Sequence, residues 1–139
     1  MIYKPPIKDL KQKLKSEGFC FLPKIFNSNQ TNAARNGLSD VIQGRYETGK
    51  PPEARFWEID DDPKNIIKID KPHFSNQKVW DLITDKNFGK WLANVTEAKR
   101  IQLWHSQVVW KPPGGGKKGN AGWHRDSQYW PFWIPEGVF

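Results

Sequence analysis

Apolar residues recur at helical spacing in four stretches of the chain, and shorter runs of apolar and β-branched residues lie between them. In residues 5–16, Ile7, Leu10 and Leu14 share one face with lysines opposite. Two prolines suit the first turn of that helix, and Gly18 stops it. Phe19-Cys20-Phe21-Leu22 then reads as a short strand ended by Pro23. Ser28 is placed to cap a second helix over 28–43, with Ala34, Leu38, Val41 and Ile42 on one side and Gly44 as its stop. Residues 46–53 hold Gly49, Pro51 and Pro52 and read as loop. Phe56–Ile59 and Ile66–Ile69 read as strands joined by the turn Asp60-Asp61-Asp62-Pro63. Ser75 is placed to cap a helix through Val79, Trp80, Leu82 and Ile83, and Asp85 another through Phe88, Trp91, Leu92 and Val95.

The longest strand expected is Ile101–Lys111. Side chains two apart share a face of a strand. One face therefore carries Ile101, Leu103, His105, Gln107, Val109 and Lys111, and its polar members must reach solvent or line a wet cavity. The segment 111–122 follows, with five glycines and two prolines, a connection rather than an element.

Composition narrows the field. With 139 residues, 37% of them hydrophobic, and eight Trp and eight Phe, the chain has the material for one domain with a core. No apolar run approaches the ~18 residues of a membrane span. The lysine-rich N-terminus has no apolar stretch of a secretory signal, and a single cysteine, Cys20, excludes an internal disulfide framework. A cytoplasmic protein is expected, with no membrane partner. The net charge of +7 comes from 17 lysines against 5 arginines, dispersed along the chain. That dispersal, with no motif for reading bases, points to a solvated surface and no specific nucleic-acid partner. The DDDP run lacks the ligand spacing of a calcium loop, and GGGKKG lacks that of a phosphate loop.

The stretch with chemistry in it is Gly122-Trp123-His124-Arg125-Asp126-Ser127-Gln128-Tyr129-Trp130-Pro131-Phe132-Trp133. On extended backbone His124 and Asp126 point to one side, and an imidazole nitrogen with a carboxylate oxygen suits iron(II). The pair alone is a weak signal, because three histidines and nine aspartates produce His-x-Asp by chance in about one such sequence in five. The aromatic residues that follow it suit a wall that excludes water and binds an organic substrate.

The order Lys-Pro-Pro-Gly, Gly-rich loop, Trp-His-x-Asp and Tyr-Trp-Pro resembles the phytanoyl-CoA dioxygenase family, most strongly over 101–133. The opening helix, Gly18-Phe19-Cys20-Phe21-Leu22-Pro23 and the second helix are similar to the start of many members. The resemblance implies an iron(II)- and 2-oxoglutarate-dependent oxygenase that takes O2 and a small-molecule substrate and releases succinate and carbon dioxide. It implies His124 and Asp126 as the first two iron ligands and catalytic residues. Gln107 would meet 2-oxoglutarate, Lys111 would meet a carboxylate of that cosubstrate or of the substrate, and Tyr129 and Trp130 would wall the substrate pocket. His105 is expected to pack or hydrogen-bond rather than ligate, and His73 to lie at the surface.

The implied fold is α+β with a mainly β core, a double-stranded β-helix (jelly roll) preceded by N-terminal helices. One domain spans 1–139, with helices and strands over 1–99 and the first jelly-roll strands and His-x-Asp over 100–139. The family also uses a later histidine as third iron ligand and a basic residue after it for the far carboxylate of 2-oxoglutarate. The 13 residues beyond Asp126 contain no His, Arg or Lys. Residues 101–139 are also too few for the eight or so strands of a jelly roll. The chain is therefore expected to be the N-terminal portion of a longer oxygenase, and to turn over little or nothing alone. Two other classes compete. One is a non-catalytic jelly-roll or cupin-like module binding a small ligand on Trp123, Trp130 and Trp133. The other is a basic nucleic-acid-binding domain.

Overall fold

The computed structural model describes residues 7–114, 119 and 122–129. Helix α1 (Ile7–Glu17) turns Leu10 inward and ends at Gly18, whose φ of 78° is left-handed and whose amide bonds the Leu14 carbonyl. Helix α2 (Ser28–Ile42) buries Ala34, Gly37 and Val41. Its cap is Asn27, not Ser28. The Asn27 side chain accepts from the Gln30 amide at 2.9 Å, and the Gln30 side chain accepts from the Asn27 amide at 3.0 Å, a reciprocal pair that serine one residue later has no register to make.

The sheet has three antiparallel strands in the order β1 (Ala54–Arg55), β2 (Ile67–Asp70), β3 (Gln107–Trp110). Between β2 and β3 lie α3 (Gln77–Ile83) and α4 (Lys86–Thr96). Helix α3 packs on α2, and α4 on α1. Asp85 caps α4 as expected, accepting from the amides of Asn87 and Phe88. Asn76 rather than Ser75 caps α3, because the Ser75 hydroxyl is turned into the interior, where it has no hydrogen-bond partner. Glu97, which ends α4 at a left-handed φ of 60°, bonds Lys15 and Lys11 of α1, and these hold its carboxyl below the usual range.

Register decides what each face of the sheet does. Ile69 stands opposite Val108, and Asp70 opposite Gln107. Ile69 is wholly buried and marks the inner face of the sheet, which Val108 shares. Lys68, Asp70, Gln107 and Val109 stand on the other, open face. Arg55 of β1 fastens the sheet to the end of α2. Its guanidinium donates to the carbonyls of Val41 (2.7 Å), which also accepts the Gly44 amide, and Ile42 (3.0 Å) at the end of α2.

Several expected strands differ. Phe19–Leu22 joins no ladder, and neither does Trp57–Ile59, where the chain turns after Phe56 has given its amide to Lys68. The strand expected over 101–111 is confined to Gln107–Trp110, because β2 offers only four residues to pair with it. The described residues form helices around a small sheet instead of a mainly β core, and they do not form a complete jelly roll.

Helices α2 and α3 meet at Gly37, where an added Cβ would overlap the side chain of Asn76, the α3 cap. Gly37→Ala is expected to lower the unfolding free energy by about 2 kcal/mol in urea melts, since it both overpacks the contact and displaces the cap. Ala at the neighbouring exposed Asn36 should change it little.

Candidate active site

Residues 122–129 carry the His-x-Asp pair on extended backbone that enters a 3-10 turn at Asp126–Gln128. The two side chains lie on the same side, with His124 Nε2 3.5 Å from Asp126 Oδ1. A separation of this size is within reach of two donors sharing one cation. The other ring nitrogen, Nδ1, lies 2.7 Å from the Gly122 carbonyl oxygen. A carbonyl only accepts, so in the neutral ring Nδ1 carries the proton and the Nε2 lone pair is left facing Asp126. Tyr129 closes one flank, its ring edge-on to the imidazole at 5.7 Å between centroids. Both donors are partly open to solvent, as a site that exchanges ligands requires. Trp130 lies outside the described residues. Among the described residues no three His, Cys, Asp or Glu side chains are gathered to hold a metal ion.

Gln107 and Lys111 fall on and just after β3. Gln107 is exposed on the open face and donates through Nε2 to Asp70 Oδ1 at 2.6 Å. The same carboxylate oxygen lies 3.6 Å from His105 Nε2. His105 is thus close to Asp70 but beyond hydrogen-bond distance of this oxygen. Asp70 has no counterpart in the sequence-level site. A strand read as Ile66–Ile69 stops one residue short of it, and only the antiparallel register sets it against Gln107.

His73 is buried, only 6% exposed, where a surface position was expected. Lys71 takes a left-handed φ of 50°, which turns the chain after β2 back on itself into a 3-10 turn at Pro72–Phe74. This seats the imidazole against Trp80 and sets Nδ1 2.6 Å from Ser106 Oγ. Burial pushes its pKa down, and the charges of Lys71 and His105 add to this against a smaller opposing effect of Glu53.

A histidine and a carboxylate are the donor types that mononuclear non-haem iron sites combine with a second histidine. The chain belongs to the phytanoyl-CoA dioxygenase (PhyH) family, whose model matches residues 14–138. Membership points to an oxygenase on a cupin-type fold, in a family that generally uses iron(II) and 2-oxoglutarate. No curated protein and no solved structure matches the chain. Among the described residues no helix is long and apolar enough to cross a membrane.

The lowered pKa of His73 makes stability depend on pH. Above the ordinary histidine value of 6.5 the ring is neutral whether the chain is folded or unfolded. Below it the unfolded chain takes up a proton that the folded chain resists, so unfolding becomes easier as pH falls from 6.5 toward the depressed folded value. Urea midpoints measured from pH 8 to 5 should fall in this window, and His73→Phe should flatten that part of the profile. An unchanged slope in the variant would place the proton uptake elsewhere.

Proposed function

We propose that this protein is an iron(II)- and 2-oxoglutarate-dependent oxygenase that hydroxylates a small organic substrate, with His124 and Asp126 holding the metal. The observation that carries this reading is the hydrogen bond from His124 Nδ1 to the Gly122 carbonyl. It directs a basic Nε2 toward the space that the Asp126 carboxylate also faces. The donor set fits a borderline ferrous ion, with one imidazole nitrogen and one carboxylate oxygen and no thiolate beside them. When bound, iron(II) with 2-oxoglutarate supplies the oxidising chemistry by which O2 hydroxylates a C–H bond, with succinate and carbon dioxide as coproducts.

The chain's own residues then bind and orient. Asp126 contributes negative charge that offsets the cation, while the Gly122 carbonyl keeps the His124 ring from rotating. The Gln107 carboxamide and the Lys111 ammonium offer donors to the carboxylates of 2-oxoglutarate, one as a directed N–H and the other as a point charge. Tyr129 stands against the metal-binding ring and, with Trp130, would limit water and face the substrate. The chemistry of these walls leaves the substrate as a small molecule with apolar surface.

Metal binding tests the reading most directly. Mn(II), read by the loss of its free-ion EPR signal on titration with the purified chain, stands in for iron(II). His124→Ala and Asp126→Ala are each expected to weaken its binding by at least tenfold without altering the circular dichroism spectrum. Wild-type Mn(II) affinity in both variants would overturn the assignment and favour a non-catalytic small-ligand module on the same scaffold.

A further inference from the structure

The open face of the sheet carries a polar cluster that the metal-binding residues do not account for. Asp70 is at its centre. Its side chain is 17% exposed and that of His105 20%, whereas Gln107 stands out in solvent. An exposed glutamine has a soft terminal torsion with two nearly equivalent amide orientations. One presents a carbonyl oxygen outward and the other presents N–H donors, and only the donors suit a carboxylate ligand. An ionised Asp70 can only accept, so the 2.6 Å contact requires the NH2 end of Gln107 to face it. That end has two hydrogens. One goes to Asp70, and the second stays directed in the amide plane, free for an incoming oxygen.

We infer that Asp70 is a positioning residue that fixes the Gln107 carboxamide so that one Nε2 hydrogen is presented to a carboxylate of 2-oxoglutarate. The inference rests on the cosubstrate role proposed above for Gln107. His105 Nε2, 3.6 Å from the same oxygen, limits how far the carboxylate can swing. Lys68, directly opposite Val109, shares the face, and Lys111 follows two residues after Val109. The acidic anchor is therefore outnumbered by cations where a dianion has to bind. Asp70 itself need not touch the ligand.

The test is a cycle of variants in the full chain, read by calorimetric titration of 2-oxoglutarate in the presence of Mn(II). Asp70→Ala should raise the Kd about tenfold, and Asp70→Asn, which keeps an acceptor oxygen, should stay within about threefold of wild type. Asp70→Ala should have no further effect once Gln107→Ala is present. Wild-type affinity in Asp70→Ala, or an undiminished effect in the Gln107→Ala background, overturns the positioning role. The side-chain amide of Gln107, followed by 15N NMR without ligand, separates this from failure of the underlying reading. Asp70→Ala should shift both amide protons, and an unmoved pair would overturn the inference whatever the Kd does. A wild-type chain that binds no 2-oxoglutarate while those protons do shift would overturn the cosubstrate role and leave Asp70 as an anchor of Gln107 alone.

Discussion

Strand β2 is four residues long, and it is bonded on both sides. Its pleat sets the layout of the chain around it. Ile69 is fully buried, which fixes the strand against slippage, since a shift of one residue would put Lys68 or Asp70 in its place. With that register held, β3 has one way to pair, and Gln107 must stand opposite Asp70. The polar cluster on the open face is thus a by-product of core packing on the other side. The turn after β2 uses the same anchor. Lys71 donates its amide to the Ser106 carbonyl, and the reversal it begins carries His73 under the start of β3.

The His124–Asp126 pair, proposed above to hold the metal, is built by different means. Its geometry comes from contacts within a few residues, the Gly122 carbonyl behind the ring and the Tyr129 edge beside it. A local device of this kind can hold a ligand's tautomer without a deep pocket. It leaves both side chains accessible, as the proposed role in holding a metal open to other ligands would require.

The helices were legible because apolar spacing and a stop glycine are written in consecutive residues. Leu10, Ala34, Val41 and Val95 face inward as their spacing requires. The α4 cap, Asp85, was legible directly, but those of α2 and α3 only to within a residue, because Asn27 and Ser28, or Ser75 and Asn76, are equally good acceptors on paper and the choice depends on which side chain the fold turns outward. Strand length was overestimated at 101–106 because β-branched and aromatic content reports suitability for a sheet and not the length of the partner. That His124 and Asp126 lie on one side of the chain was legible from their spacing. Asp70 and the burial of His73 were not, since one depends on an antiparallel register and the other on a left-handed lysine.

The meeting of Gly37 with Asn76 has a thermodynamic consequence. The side chain that terminates one helix is also the surface against which its neighbour lies. Fraying of α3 would open the interface, and withdrawal of α2 would free the asparagine to abandon its amides. The two segments are therefore expected to melt together, with amide protons along both exchanging at closely similar rates.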